Sequence, residues 1–210
     1  MSVLPRVETG TTTIGVVCRD GVILASDTRA TMGHLVAHKK ARKIYQIDDH
    51  LAMTIAGGLA DAQRAVEILK INSRLYKLEV GRPMPVKSAA RLVANILFRA
   101  RAFPLLTQIL IGGYDDEGFH VFSLDPLGSL TKEDCVATGS GSFIAYGVLE
   151  SSYSKEKNVA EMLPIIAKAI SSAMKRDVAS GDSFDIVVIT KEGVRELSEE
   201  EKKKLVEAAG

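Results

Sequence analysis

The stretch Thr9-Gly10-Thr11-Thr12-Thr13-Ile14-Gly15-Val16-Val17-Cys18-Arg19-Asp20-Gly21-Val22-Ile23-Leu24-Ala25-Ser26-Asp27 decides how the chain begins to fold. Thr11 to Val17 is β-branched and apolar, Arg19-Asp20-Gly21 supplies a turn, and Val22 to Ser26 resumes the apolar run. β-branched side chains suit the pleated surface of a sheet, and Asp-Gly between two such runs signals a hairpin. Ahead of the hairpin lie Met1 to Gly10, too short and polar for a fold element and without the apolar core of a signal peptide.

Working outward, a second pair of runs, Lys43 to Ile47 and Leu51 to Ala56, flanks Asp48-Asp49-His50 and ends at Gly57-Gly58. The period then changes. Ala62, Ala65, Val66 and Leu69, with Ile68, Ile71, Leu75 and Leu78, recur at three- and four-residue steps, which predicts a helix of about five turns. Gly81 to Pro85 breaks it, and a second helix is expected from Val86 to Phe103, before Pro104. Strands are expected at Thr107 to Ile111 and Phe119 to Leu124, with another before Thr138. Helices follow at Phe143–Ser152 and Val159–Arg176, then a strand at Phe184–Thr190. A terminal helix at Ser198–Ala208 carries Ser198 with Glu201 three residues on, a capping-box spacing. Blocks of strands alternating with pairs of helices predict an α+β fold with mainly antiparallel sheets, in one domain.

Composition narrows the function. The chain has 210 residues, 27 Lys plus Arg against 26 Asp plus Glu, and a formal charge of +1. That balance argues against a nucleic-acid binder, and 46% apolar residues with 25% charged is a globular mix. Trp is absent and aromatics are 5%, so stacking platforms for bases or sugars are not expected. No stretch is long and apolar enough for a membrane span. Cys18 and Cys135, far apart and in no C-x-x-C pair, read as small packed residues and not as a disulfide framework. A cytoplasmic protein is expected.

Common catalytic motifs are absent: no phosphate loop, no dinucleotide fingerprint, no H-E-x-x-H and no G-x-S-x-G. His34 and His38 have the spacing of a metal pair but no strong third ligand nearby, and His50 and His120 read as structural. Gly139-Ser140-Gly141-Ser142 is either an anion-binding loop or, as favoured here, a tight turn into a helix with serine caps. A hydrolase without a histidine base needs another one. The chain's own α-amino group qualifies, with a pKa of about 7.7–8.0. A threonine at the amino terminus carries hydroxyl and amine on adjacent carbons, provided a cut exposes it. Gly10 before Thr11 suits such a cut, because a residue without Cβ tolerates the bent backbone the attack requires.

Further polar residues recur in order along the chain, and here it resembles a known family. Thr9-Gly10-Thr11-Thr12-Thr13, Asp27-x-Arg29, Lys43, Ile55-Ala56-Gly57, Asp61-Ala62-Gln63, Thr138-Gly139-Ser140-Gly141-Ser142, Tyr146-Gly147-Val148-Leu149-Glu150, Arg176-Asp177-x-x-Ser180-Gly181 and Phe184-Asp185 are similar to the proteasome β subunits, most closely the archaeal type. These are threonine peptidases of the N-terminal nucleophile hydrolase fold. The resemblance runs from about Thr9 to Thr190. It implies a four-layer α/β/β/α sandwich of two mainly antiparallel sheets flanked by helices. It also implies that residues 1–10 are a propeptide and 11–210 the catalytic domain, 200 residues long.

By that resemblance Thr11 is the nucleophile, freed when the Gly10–Thr11 bond is cut autocatalytically. Lys43 supports it with positive charge, and Asp27 holds Lys43. Ser140, Asp177 and Ser180 surround the Thr11 amine and its water. Gly57 offers a backbone N–H to the oxyanion, Thr31 pairs with substrate as an added strand, and Ala30, Ala41, Tyr45 and Ile55 form the side-chain pocket, implying cleavage after apolar residues. No metal and no cofactor is implied. The implied partners are proteasome α subunits, other β subunits in seven-membered rings, an ATPase acting upstream and unfolded protein substrates, with no nucleic acid or membrane. Tyr76 and Tyr146 are candidate contacts on exposed helix faces. The alternative is a non-catalytic or unprocessed structural β subunit of the same ring.

Overall fold

A computed structural model describes residues 10–32 and 35–209, with the side chains of 59–62 and 209 set aside. The chain runs β1 (Thr12–Cys18), β2 (Gly21–Asp27), β3 (Ala30–Met32), β4 (Leu35–His38), β5 (Ile44–Asp48), β6 (Leu51–Gly57), α1 (Leu59–Val80) and α2 (Val86–Arg99). It continues through β7 (Thr107–Asp115), β8 (Gly118–Leu124), β9 (Leu130–Glu133), β10 (Cys135–Gly139), α3 (Ser142–Ser152), α4 (Val159–Arg176), β11 (Phe184–Thr190), β12 (Gly193–Glu196) and α5 (Glu199–Ala209). One sheet has the order β10-β1-β2-β11-β12, the other β5-β6-β7-β8-β9, and β3-β4 is a separate hairpin. The described strand pairs are antiparallel.

Strand alternation assigns the layers. On β1, Ile14, Val16 and Cys18 pack with Ile166 and Ile170 of α4 and Leu149 of α3. Val17, from the opposite face, packs with Leu24 and Val187 against Leu110 and Val121 of the second sheet. The outer face of that sheet, with Met53, Ile55, Ile109 and Ile111, meets Leu69 of α1 and Val93 and Leu97 of α2. The fold is therefore α+β, four layers in the order α/β/β/α. Because both faces of β1 and β2 are covered, these strands are buried throughout and read as near-continuous apolar runs.

The expected first hairpin forms, with Arg19-Asp20-Gly21 in its turn. Cys18 pairs with Gly21, so Arg19 and Asp20 form the loop. Asp20 Oδ1 also accepts the Val159 N–H at the start of α4, at 2.8 Å. Gly21 is small because a Cβ there would lie 2.8 Å from both the Ile189 oxygen and a Val159 methyl. Helix α2 stops at Arg99, four residues short of expectation. The proline at 104 disfavours helical backbone before it, and residues 100–103 form turns. The short strands β3, β4, β9 and β12 are additions to the sequence reading.

Helix α4 matches its expected bounds and has a reciprocal cap between Asn158 and Glu161. Ser198 and Glu201 exchange the same pair of bonds ahead of α5. Gly139–Ser142 is the expected tight turn from β10 into α3, but the expected serine caps are not made: Gly141 is the N-cap of α3 and no side chain caps it. Tyr76 and Tyr146 are half-buried against the chain's own cores. Cys18 is buried, Cys135 half-buried and both are free; burial pushes both thiols up to about 12, which keeps them protonated and unreactive. His50 is buried with Nε2 2.8 Å from the Met84 oxygen, and His120 Nε2 lies 3.2 Å from Asp115 Oδ1. His34 and Met1–Thr9 lie outside the described residues.

Candidate active site

At the end of the sandwich where β1 begins, side chains from distant segments meet around Thr11. The register of β1 on β2 brings Asp27, the last residue of β2, beside the start of β1. Asp27 is wholly buried and its carboxylate is fully engaged. Oδ1 accepts the Thr12 N–H at 3.0 Å and the Lys43 ammonium at 2.8 Å; Oδ2 accepts the N–H groups of Arg29 and Gly181, each at 3.0 Å. Lys43 immediately precedes β5, and its carbonyl accepts the Ile55 N–H, which extends the ladder and aims the side chain inward.

The Lys43 side chain is 2% exposed. Its Nζ donates to Thr11 Oγ1 at 3.0 Å as well as to Asp27. Burial pushes this ammonium below the ordinary lysine value, against the opposing pull of Asp27. A buried ion pair of this kind is rarely a gain in stability over apolar packing, so its worth lies in the positive charge it fixes beside a hydroxyl.

Thr11 is itself buried, and its hydroxyl donates to the Gly10 carbonyl oxygen at 2.6 Å. Its nitrogen, a peptide amide in this uncut chain, occupies the place an α-amino group would take after cleavage. That N–H donates to Ser140 Oγ at 3.2 Å. Ser140 Oγ in turn donates to Asp177 Oδ2 at 2.6 Å, and Ser180 Oγ donates to the same oxygen at 2.6 Å. Ser140 comes from the turn after β10, and Asp177 and Ser180 from the loop after α4. The three expected to surround the Thr11 nitrogen are thus one hydrogen-bonded group.

A cavity of about 60 Å³ is lined by Gly10, Thr11, Ala30, Thr31, Lys43, Ile55 and Gly57. Gly10 lies along it, its N–H donating to Thr31 Oγ1 at 3.3 Å. Gly57 ends β6 with φ +118°, where a side chain is strained, and a Cβ there would sit 2.2 Å from the Leu106 oxygen. Ala41 and Tyr45 do not line this cavity. Ala41 N–H bonds the Thr28 oxygen. Tyr45 donates to the Arg42 oxygen and borders a separate cleft of about 420 Å³ with Lys70 and Arg74. A roomier cleft of about 640 Å³ is lined by His50, Arg82, Tyr114, Asp115, Asp116 and Lys191, apart from the residues around Thr11.

Sequence reasoning gave no role to Arg29 or Asp182. Arg29 Nε pairs with Asp182 Oδ2 at 2.8 Å and its Nη1 donates to the Val178 oxygen at 2.9 Å. This contact raises the pKa of Arg29 and lowers that of Asp182. Asp182 has φ +65°, uncommon for a non-glycine residue. The clamp ties the end of β2 to the loop carrying Asp177 and Ser180. Its only signal in sequence was the Asp27-x-Arg29 spacing. Among the described residues, no group of three His, Cys, Asp or Glu gathers as a metal site.

Two face-to-face antiparallel sheets between helical layers, with a threonine leading the first strand toward a buried lysine, define the class of N-terminal nucleophile hydrolase folds. A family model for proteasome subunits matches residues 7–189, and the chain belongs to that family. It is 52% identical over 200 residues to the proteasome subunit beta of Methanocaldococcus sp. strain FS406-22, covering 94% of this chain and 89% of that protein. It is 51% identical over 201 residues to that of Methanocaldococcus jannaschii, covering 95% and 90%. With the proteasome subunit beta of Ferroglobus placidus the identity is 49% over 203 residues, covering 96% and 97%.

Proposed function

We propose that this chain is a catalytic β subunit of a proteasome core particle, a threonine endopeptidase whose nucleophile is Thr11. The observation that carries this reading is the Lys43 ammonium, held by Asp27 at 2.8 Å and donating to Thr11 Oγ1 at 3.0 Å. In the uncut chain Thr11 Oγ attacks the Gly10 carbonyl carbon, which is bonded to the oxygen its hydroxyl already contacts. The Gly10–Thr11 amide breaks as an ester to Oγ forms, and the nitrogen takes a proton to become the amine. Water then hydrolyses the ester, releasing residues 1–10 and leaving a domain of residues 11–210.

The same cycle serves substrates. Oγ attacks a peptide carbonyl, the Thr11 amine accepts the hydroxyl proton, and the Gly57 N–H supports the oxyanion while Lys43 stabilises negative charge. The substrate backbone runs along Thr31. The apolar walls at Ala30 and Ile55 favour cleavage after apolar residues. We place the chain in seven-membered β rings stacked with rings of α subunits, in the cytoplasm, degrading unfolded proteins delivered by an ATPase.

Mass spectrometry of the chain assembled with its α partner is expected to find it beginning at Thr11. A chain still carrying residues 1–10 inside an assembled particle would make it a structural subunit instead.

The pH profile of kcat/KM should be bell-shaped. Activity rises as the freed α-amino group loses its proton near about 7.7–8.0. It falls as Lys43 loses its charge, and burial sets that fall below the ordinary lysine value of 10.5. A profile flat from neutral pH up to that value would contradict the role given to Lys43.

A further inference from the structure

We infer that Thr12 is a positioning residue whose buried hydroxyl orders the hydrogen-bond chain ending on the Thr11 nitrogen. The inference rests on the reading of Thr11 as nucleophile and adds to it a residue outside the reacting set. Thr12 is 0% exposed. Its N–H reaches Asp27, as described, and its Oγ1 lies 2.7 Å from Ser180 Oγ.

Counting protons fixes the direction of every bond in the chain. A serine hydroxyl has one proton and two lone pairs. Ser180 gives its proton to Asp177 Oδ2, and Ser140 gives its proton to the same oxygen. Ser180 Oγ therefore has only a lone pair to offer Thr12, and Thr12 is the donor. Ser140 Oγ, its proton likewise committed, turns a lone pair to the Thr11 nitrogen. After the cut, an amine N–H bonded to Ser140 leaves the amine lone pair free for the Thr11 hydroxyl proton. Thr12 thus closes one end of the chain and the base stands at the other, with Asp177 held between them.

Space holds Thr12 in this role. A Cβ at Gly141 would lie 2.0 Å from Thr12 Oγ1, so the turn before α3 packs directly on the hydroxyl. Valine at position 12 keeps the volume but cannot donate. Its methyl also needs roughly 3.5 Å to a neighbouring atom, which displaces Ser180 and with it Asp177. Misplacement on the scale of about 1 Å can cost on the order of 10²-fold in rate. Thr12 does not line the substrate cavity, so the loss belongs in kcat.

The test uses assembled particles carrying wild type, Thr12→Val, Thr12→Ala or Thr12→Ser, with rates normalised to the fraction of chains beginning at Thr11. Thr12→Val is expected to lower kcat by about 10- to 100-fold with KM within about twofold, and Thr12→Ala by about tenfold. Thr12→Ser should stay within about threefold of wild type, because the hydroxyl is retained. Thr12→Ala, which adds no bulk, carries the test if the valine variant does not assemble. The inference is overturned if the variants lacking the hydroxyl keep wild-type kcat, if Thr12→Ser falls as far as they do, or if the loss is in KM. A wild-type chain that is neither cut nor active would overturn the function itself; a cut, active wild type beside an unaffected Thr12→Ala removes only the role of Thr12.

Discussion

Thr11→Ala is expected to abolish both the cut after Gly10 and peptide hydrolysis, with activity down by on the order of 10⁴-fold or more. The two losses share one cause, because the oxygen that contacts the Gly10 carbonyl is the one the Lys43 ammonium holds. The fold should tolerate the change. Lys43 keeps its bond to Asp27, and removing one hydroxyl in contact with neighbouring polar groups costs about 1 kcal/mol. The variant should therefore assemble and remain uncut, read as the full-length mass and as silence toward a peptide with an apolar residue before the scissile bond. Thr11→Ser keeps a hydroxyl at the same place and should be both cut and active. Peptide hydrolysis retained by Thr11→Ala would put the nucleophile elsewhere.

Lys43→Met separates the chemistry from the stability of the site. It leaves the wholly buried Asp27 carboxylate with three backbone N–H donors and no hydrogen-bonded cation. Removing one partner of a buried pair costs about 3–5 kcal/mol, and losing a donor beside the reacting oxygen costs about 10²–10³-fold in rate or more. Adding Asp27→Asn removes the stranded charge, although its amide must then face the Thr12 N–H or the N–H groups of Arg29 and Gly181. The double variant should regain part of the lost melting temperature and none of the activity. Recovery of activity along with stability would mean that Lys43 serves only to hold the fold.

The elements readable from the sequence were those with a strong local pattern. Val159–Arg176 shows helical periodicity over five turns and was bounded as found, and the β1–β2 hairpin announced itself by two apolar runs. The strands that escaped notice, β3, β4, β9 and β12, have three or four residues each, mix polar with apolar side chains and take their structure from a neighbour. The serine caps expected at Gly139–Ser142 fail for a similar reason, because Ser140 serves Thr11 at a separation of 129; Asp20, besides its place in the turn, serves a helix start 139 residues away. The site itself was legible only through family likeness. Lys43 alone, near Lys39, Lys40 and Arg42, looks like a solvated charge. What makes it otherwise is sheet register, which no window of sequence contains. Asp182 had no local signal at all, because its partner Arg29 lies 153 residues earlier.

Gly10 in the small cavity, with its N–H on Thr31, has a kinetic meaning. On the proposed reading, a chain that carries its own first substrate in the cleft would perform a single-turnover reaction, first order in the folded chain. Tethering of this kind is equivalent to an effective concentration far above any a free peptide attains. External peptides and covalent inhibitors would then wait for the leader to depart, and the release of that one product would switch the site from private to public use.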